Sequence, residues 1–286
     1  MLSVFPVTPS LSDLLPILLD TENPEPILGL HHLPARSWFS TSSSGPFHVL
    51  LSFFPIRSSY SIFASRSADP SHIQALVSWA VARSPFDEVG FAGLETRLVP
   101  LLHVPQAAEV RAMTFDVFRV QDKAKLNAYL ATLDTLVEAP FVVGELHPQD
   151  AEEVNNRWEY RSRGTCEYIR ESIALRPSVC VRNPSKDNEM VCYAITHDML
   201  AVGILHTIHE YRGKGMGKLV SALMVRKLLA EFAKISESLP GLPVEPGPYA
   251  TISRTNTPSR KIFEAMGFGY DPDQTMSWCT VKRRTE

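Results

Sequence analysis

The sequence predicts an α+β protein in which strands and helices alternate around a mixed sheet, because apolar runs of strand length precede segments of helical spacing. The clearest apolar run, residues 199–205, indicates a buried strand, and apolar residues recur at helical spacing between Leu219 and Phe232. A second apolar run, residues 249–253, precedes another short predicted helix. The strongest pattern therefore lies in the second half of the chain.

The first half of the chain carries similar elements but no motif of comparable strength. Strands are predicted at residues 48–54, 60–64 and 113–120, and helices are predicted at residues 72–82 and 124–137. Mixed elements of this kind are typical of a half with the same general layout as the C-terminal half.

Residues 210–218 form a glycine-rich loop between the predicted strand and helix. The loop contains three cations and three glycines, namely Arg212, Lys214, Lys218, Gly213, Gly215 and Gly217. The first amides of a helix lack internal partners and carry the positive end of the helix dipole, and glycines let the backbone approach a ligand closely. The loop therefore predicts a pyrophosphate site, although its spacing fits neither a Walker loop nor the dinucleotide fingerprint.

The loop spacing resembles the signature of a known superfamily. Arg212-x-x-Gly215-x-Gly217 is similar to the Arg/Gln-x-x-Gly-x-Gly/Ala motif of the GNAT superfamily of N-acyltransferases. Residues 256–268 resemble its second block, in which an asparagine ends a strand and a short helix closes on glycine and phenylalanine. The resemblance implies the GNAT fold, with acetyl-CoA or another acyl-CoA as co-substrate.

A third region narrows the resemblance to the glycine N-acyltransferase-like group. Its helices and strand are similar to residues 146–158, 167–173 and 176–181, so that the likeness covers roughly residues 140–282. In this group an N-terminal region of similar size precedes the catalytic half. We therefore expect residues 1–140 to form a degenerate GNAT-like half and residues 141–286 to form the acyl-CoA-binding domain.

The resemblance also assigns cofactor contacts by position. Backbone groups of Leu205 and Thr207 would bind the pantetheine arm, and the N–H of Leu205 would stabilise the oxyanion at the thioester. Asn256 and Ser259 would lie near the pantetheine or the sulfur. The pyrophosphate would contact Arg212, Gly213, Lys214, Gly215, Met216, Gly217 and Lys218.

The general base departs from the family pattern. The usual glutamate, eleven residues before the loop arginine, is Ala201 here, and a regular strand would place Gly203, Leu205 and Thr207 on its face. His206 would then point to the opposite face unless a bulge redirects it. We take His206 as the candidate base because imidazole titrates near neutral pH.

Other proton acceptors stay open at this point, and so does the reaction outcome. The alternatives to His206 are His197, Asp198, Glu210 or a chain of water molecules, and the tyrosine that often serves as general acid is replaced by Phe263. The expected function is direct transfer of an acetyl or larger acyl group to the amine of a small molecule or amino acid. A catalytically weakened CoA-binding sensor or scaffold, or a protein-lysine acetyltransferase, is the alternative.

Composition limits the possible partners and locations. The chain has 286 residues, 44% of them apolar, and a net charge of −3, which argues against a nucleic-acid-binding protein. It lacks an apolar run long enough to span a bilayer and an arginine-rich presequence, so no membrane partner and a cytoplasmic location are expected, with a mitochondrial one possible by family analogy. The four cysteines have no metal-site spacing, and no metal is expected.

Overall fold

The computed structural model describes residues 3–7, 9, 13–14, 17, 20, 37–43, 46–54, 59–133, 140–238 and 245–284. Two compact units account for them. The first contains described residues of 1–116, 239–245 and 272–286, and the second contains those of 117–238 and 246–271. The expected boundary between residues 140 and 141 stays a prediction. In the structure, the chain passes from the first unit to the second after Asp116 and re-enters the first unit for its last segment at Pro272.

The first unit is built on a mixed sheet. Strands β1 to β4 pair as antiparallel neighbours, whereas β4 and β5 are parallel and are joined through helix α1. The sheet order is β1-β2-β3-β4-β5-β12-β6. Its elements are β1 (Phe5–Val7), β2 (Ser37–Ser40), β3 (Val49–Phe54), β4 (Ser59–Ala64), α1 (Pro70–Arg83), β5 (Glu88–Glu95), a 3₁₀ helix (Thr96–Leu102), and parts of β6 (Ala107–Val120) and β12 (Phe268–Arg283).

The second unit repeats this plan. Four antiparallel strands, β7 to β10, are followed by a parallel neighbour, β11, and the sheet order is β6-β11-β10-β9-β8-β7. Helix α5 connects β10 to β11 in the same way that α1 connects β4 to β5. Its elements are α2 (Lys123–Ala131), β7 (Val142–Gly144), α3 (Ala151–Arg157), α4 (Thr165–Leu175), β8 (Ser178–Asn183), β9 (Glu189–Thr196), β10 (Ala201–Thr207), α5 (Met216–Ser238), β11 (Tyr249–Ser253) and α6 (Thr257–Ala265).

Helices cover both faces of the second unit's sheet. Helices α3 and α4 bury apolar side chains such as Val154 and Ile169 against Tyr193 and Ile195 of β9. Helix α5 lies on the other face, where the side-chain oxygen of Thr196 contacts the sulfur of Met224 at 3.4 Å. The burial of apolar surface on both faces stabilises this sheet and fixes which strand residues face each layer.

Local sequence explains the ends of the short helix that follows β11. Asn256 caps α6 by accepting a hydrogen bond from the Ser259 amide at 3.2 Å, and Pro258 occupies the first turn. Gly267 follows the helix with φ of 87°, and a Cβ there would approach the main-chain oxygen of Asp122 to 2.6 Å. Glycine is therefore required at this helix end.

Several predicted elements are confirmed, with shifted ends. The predicted strand at 199–205 is β10, Ala201–Thr207, because the apolar Met199 and Leu200 belong to a turn in which the Leu200 amide donates to the His197 oxygen. Both turn residues are buried, so hydrophobicity alone does not separate them from the strand. The predicted helix at 124–137 is observed over Lys123–Ala131, and residues 134–137 lie outside the described part.

No apolar helix of membrane-spanning length occurs in the part of the chain that the structure describes.

Candidate active site

The glycine-rich loop enters α5 with an open backbone. Gly213 and Gly215 have φ of 74° and 80°, and a Cβ added to either would meet no atom within 4 Å. Residues 212–215 are exposed, and the first amides of α5, which begins at Met216, have no earlier turn of helix to bond. The loop can therefore surround an anion with main-chain amides, and the glycine conformations leave room for it.

Cations and an aromatic ring support the loop. The Lys214 ammonium lies 5.1 Å from the ring centre of Tyr211, and Lys186 approaches the same ring at 5.5 Å. The Tyr211 hydroxyl accepts a hydrogen bond from Asn183 and donates one to Glu189, at 2.9 and 3.2 Å. Buried Tyr211 is thus a fixed platform beneath the basic loop.

The strand before the loop separates from its parallel neighbour. Strands β10 and β11 pair only at Ala201 with Tyr249 and at Val202 with Ala250, although β10 continues to Thr207. The later residues of β10 consequently turn backbone groups toward the opening gap instead of toward a partner strand. Along the chain, β10 is followed by the glycine-rich loop, so the gap and the loop adjoin each other.

Thr207 illustrates this orientation. The amide of the next residue, Ile208, donates to Val191 of β9, so the backbone groups of Thr207 face the β11 side. Its main-chain oxygen accepts a hydrogen bond from Nε of Arg212 at 3.0 Å. The Thr207 carbonyl is therefore bonded to the loop arginine, whereas the family resemblance assigned the backbone groups of Thr207 to the pantetheine arm.

A bulge interrupts β10 in the middle. Gly203 and His206 pair with alternate residues of β9, so that Ile204 and Leu205 together oppose Ala194. Ile204 has φ of 46°, a left-handed conformation that is uncommon for a β-branched residue. The bulge shifts the alternation of side chains beyond it.

The shifted alternation changes the face of His206. Its ring stacks on Tyr193 of β9 with ring centres 5.6 Å apart, while Gly203 pairs with the residue two positions beyond Tyr193. Thr207 is on the other face, where its hydroxyl lies 3.1 Å from the sulfur of Cys192. Faces counted for a regular strand do not hold here. The bulge, which was the stated exception for His206, brings this residue to the face of Gly203 and moves Thr207 to the other face.

His206 occupies a half-buried position among cations. Burial lowers the pKa of His206 first, and the charges of Arg157 and Arg212 lower this pKa further. Arg157 itself bonds to Glu153 and to the main-chain oxygen of Met190. A lowered pKa keeps this imidazole neutral near pH 7, which is the form that can accept a proton.

A second histidine, His197, lies on the same face of the strand. It occupies the turn between β9 and β10, and its Nδ1 is 2.8 Å from the hydroxyl of Tyr168 on α4. A Cβ built on Gly203 would come within 2.0 Å of the His197 Nε2 atom. The ring of His197 therefore covers Gly203 and fills the space that a side chain there would need.

Aromatic rings surround His197. The rings of Tyr168 and Trp158 have centres 6.1 and 6.4 Å from that of His197. Nothing in the sequence relates Trp158 or Tyr168 to the turn that holds His197, which lies 29 residues after Tyr168 in the chain. Tyr160 packs against Trp158 with ring centres 6.3 Å apart and extends this aromatic group.

The remaining candidate residues have structural partners or exposed positions. The side chain of Asn256 caps α6, and Ser259 lies half-buried in the first turn of that helix. Phe263 is buried against Phe268, with ring centres 5.2 Å apart. Unlike the tyrosine of the family pattern, its side chain has no hydroxyl that could act as an acid. Lys218, in the first turn of α5, is exposed.

Two of the cysteines, Cys180 and Cys192, lack the properties of a nucleophile. Burial raises the pKa of Cys180 to about 12 and that of Cys192 to about 11, so both thiols are protonated near neutral pH. Within the described ranges, no three His, Cys, Asp or Glu side chains are grouped to hold a metal ion.

The first unit differs at the position equivalent to the glycine-rich loop. Between β4 and α1, the carboxylate of Asp69 accepts the Ser71 amide at 2.8 Å, and Asp20 accepts the Ser67 amide at 2.9 Å. These hydrogen bonds lower the pKa values of both carboxyl groups. In the first unit, carboxylates of the protein thus bind amides of this connection. The equivalent loop of the second unit is open.

The gap between the parallel strands of the first unit is bridged. The Ser61 hydroxyl on β4 donates to the Ala92 oxygen on β5 at 2.6 Å. Arg97, just after β5, donates to the oxygen of Ala64 at the end of β4, also at 2.6 Å. The first unit therefore fills with its own side chains the place where the second unit separates its strands.

Known structures share this architecture along most of the chain. No family model and no curated protein matches the sequence. A Drosophila protein of known crystal structure aligns with a TM-score of 0.68 at 14% identity, over 97% of this chain and 98% of its own. A GCN5-related N-acetyltransferase-like protein from Streptococcus suis aligns with a TM-score of 0.56 at 14% identity, over 95% and 97% of the two chains.

A third structure belongs to the same group of folds. It is a protein from Novosphingobium aromaticivorans whose name assigns it to the GNAT family, and it aligns with a TM-score of 0.53 at 15% identity, over 86% of this chain and 92% of its own. At such identities the likeness concerns the fold alone. With its mixed sheet, its separated parallel strands and these structural neighbours, the chain has the fold of GNAT acetyltransferases.

Proposed function

We propose that the protein is an acyl-CoA-dependent N-acyltransferase that transfers an acetyl or larger acyl group directly to the amine of a small molecule or amino acid. The observation that carries this proposal is the continuity of the open glycine-rich loop with a strand that separates from its parallel neighbour. Such an arrangement offers amides to a pyrophosphate and unpaired strand edges to an extended arm.

The residues of the loop fit a CoA pyrophosphate. Left-handed Gly213 and Gly215 are open to an approaching ligand, and Arg212 and Lys214 add positive charge beside the first amides of α5. The pantetheine arm would follow β10 toward Leu205, whose N–H would polarise the thioester carbonyl. Asn256 and Ser259 at the start of α6 would complete the site near the sulfur.

The second unit also offers the means to accept a proton. His206 and His197 both lie on the Gly203 face of β10. In this strand Ala201 stands at the position of the glutamate of related enzymes. With Phe263 buried, the CoA thiolate would leave without a protein acid, which its low basicity permits. Acyl transfer would depend mainly on holding amine and thioester in register and on stabilising the oxyanion.

The competing function is that of a CoA-binding sensor without turnover. Ala201 and the buried Phe263 favour it, because both positions lack the acid–base groups of related enzymes. This alternative and the enzyme share the cofactor site and differ only in whether an amine is acylated.

The test is release of CoA thiol from acetyl-, benzoyl- and long-chain acyl-CoA in the presence of pooled amino acids and small amines, followed by mass spectrometry of the products. An acylated amine is the expected result and identifies both substrates. Binding of CoA by calorimetry without product from any pool would contradict the enzyme and support the sensor.

A further inference from the structure

The turn between β8 and β9 carries a lysine beside the glycine-rich loop. A 3₁₀ helix, Pro184–Lys186, begins this turn, and Asp187 and Asn188 complete it with φ of 50° and 56°. Aspartate and asparagine adopt such left-handed conformations more readily than most residues, so the sequence suits a tight return from β8 to β9. Lys186 is exposed at the end of the 3₁₀ helix.

Tyr211 holds this turn at both of its ends. Before the turn, the side-chain nitrogen of Asn183 donates to the phenol oxygen at 2.9 Å, and the side-chain oxygen of Asn183 accepts the Ser185 amide at 3.0 Å. After the turn, Glu189 accepts a hydrogen bond from the same phenol hydroxyl at 3.2 Å. Asn183 and Tyr211 are only 6% and 5% exposed, so buried contacts fix the turn beside the loop.

Two ammonium groups from different elements lie beside the Tyr211 ring. The Lys186 ammonium of the turn is 5.5 Å from the ring centre, and the Lys214 ammonium of the glycine-rich loop is 5.1 Å from it. Both lysines are exposed, and neither forms an ion pair with a residue in the described part of the chain. An aromatic ring attracts a cation but does not neutralise its charge, and two like charges near one ring repel each other. An anion with more than one charge would remove this repulsion.

The ligand proposed for the glycine-rich loop carries such an anion. Besides its pyrophosphate, CoA has a 3′-phosphate on the adjoining ribose, and a phosphate monoester carries roughly two negative charges near neutral pH. The main-chain amides of the loop suit the pyrophosphate. The 3′-phosphate needs other partners, because the ribose separates it from the pyrophosphate. A lysine on a neighbouring turn suits this group, since its ammonium is a point charge on a long flexible stem.

We infer that Lys186 binds the 3′-phosphate of CoA, with Lys214 contributing charge to both phosphate groups and Tyr211 as the positioning residue of the turn. The inference deepens the proposed function and rests on it, because it requires the CoA pyrophosphate to lie at the glycine-rich loop. The two lysines make the site selective for CoA over 3′-dephospho-CoA, which has the pyrophosphate but lacks the 3′-phosphate.

The experiment is calorimetric titration of the full chain with CoA and with 3′-dephospho-CoA. The wild type is expected to bind CoA about tenfold more tightly, as for two exposed cations that contact one phosphate. Lys186→Ala should weaken CoA binding by about fivefold and change the Kd of 3′-dephospho-CoA by less than about twofold. The lysine and the phosphate are thus compared as partners in a double-mutant cycle, in which the ligand supplies one of the two changes.

Three further variants test charge and specificity. Lys186→Arg keeps the charge and should bind CoA within about twofold of the wild type. Arg212→Ala should weaken both ligands by a similar factor, because this residue is assigned to the pyrophosphate that they share. Lys234→Ala removes an exposed lysine near the other end of α5 and is the matched control, which should change neither affinity.

Tyr211→Phe tests the positioning of the turn. The variant keeps the ring but removes the oxygen that bonds to Asn183 and Glu189. It should weaken CoA binding more than 3′-dephospho-CoA binding, because the turn that carries Lys186 loses its attachment. An equal effect on the two ligands would show that Tyr211 only supports the fold.

The outcomes separate the inference from the proposed function. Equal losses for the two ligands in Lys186→Ala, unchanged CoA affinity in that variant, or a wild type that binds both ligands equally would each overturn the role of Lys186. The expected selectivities without any acylated product in the screen would contradict the enzyme and support the inference. A wild type that binds neither ligand would overturn the cofactor site and the inference together.

Discussion

Nε of Arg212 donates a hydrogen bond to the main-chain oxygen of Thr207 at 3.0 Å. This contact joins the start of the glycine-rich loop to the last residue of β10, across the 3₁₀ turn His209–Tyr211. The first cation of the loop is thereby fixed relative to the edge of the separated strand. The guanidinium group has further donors that can contact a phosphate while Nε holds the strand.

Arg212 should therefore contribute to CoA binding through both charge and position. Arg212→Ala is expected to weaken CoA binding by about tenfold, because it removes a charge-assisted phosphate contact and the hydrogen bond to Thr207. Arg212→Lys keeps the charge but cannot reproduce the planar fork, so we expect it to recover only part of the affinity. Calorimetric titration with CoA measures both, and full recovery by lysine would show that position does not matter.

Gly215 should be essential for the loop. Gly215→Val places a β-branched residue at φ of 80° in a backbone that must approach the pyrophosphate, so CoA binding should fall below detection. Gly144→Val in strand β7 is the matched control, because a Cβ there meets no atom within 4 Å and the conformation is extended. The unfolding transition of Gly215→Val should stay cooperative, and unchanged CoA affinity would remove the loop from the cofactor site.

His206 should make stability depend on pH. Its pKa is lowered in the folded chain by burial and by Arg157 and Arg212, whereas in the unfolded chain it returns to about 6.5. Between these two values the unfolded chain binds more protons, so the free energy of unfolding rises with pH. The contribution is fully present above about pH 6.5 and is lost as the pH falls toward the folded pKa.

His206→Gln tests this dependence without deleting a polar side chain. We expect the urea midpoint of the wild type to fall more between about pH 7 and about pH 5 than that of the variant. Other titrating groups affect both proteins equally and cancel in the difference. Identical shifts in the two proteins would show that His206 keeps an ordinary pKa in the folded chain.

One CoA should bind per chain, although the two units share a layout. In the first unit, Asp69 and Asp20 already bond to the amides of Ser71 and Ser67, and their negative charges repel a phosphate. Calorimetry should therefore give a stoichiometry near one per chain, and Gly215→Val should abolish all of it. A stoichiometry of two, or residual binding in that variant, would indicate a site in the first unit.

Much of the fold was accessible from sequence because its signals are local. The strand Tyr249–Ser253 was predicted with its observed ends, and Pro258 and Gly267 delimit the helix after it. Strand β12, which runs from Phe268 to Arg283, was not predicted, since its polar and apolar residues give no clear alternation. Periodicity detects elements that bury one continuous face and fails where a strand changes its surroundings along its length.

The site was harder to predict from the sequence, because its geometry depends on a bulge in β10. A count by two along β10 gives the faces of His206 and Thr207 only if no bulge intervenes, and no residue type indicates the bulge at Ile204 and Leu205. The contact of His197 with Gly203 requires a turn, and its contact with Tyr168 requires a helix 29 residues earlier in the chain. Contacts of this kind leave no periodic pattern in the sequence from which they could be predicted.

The sequence by itself determined the glycine-rich loop, the order of strands and helices around it, and the absence of a glutamate at Ala201, because these follow from residue type and local spacing. Only the tertiary structure decided which histidines share the face of Gly203, how β10 parts from β11, and that carboxylates close the equivalent loop of the first unit. The physical reason is that cross-strand register and side-chain packing join residues distant in the chain, and a single bulge reverses every assignment of faces beyond it.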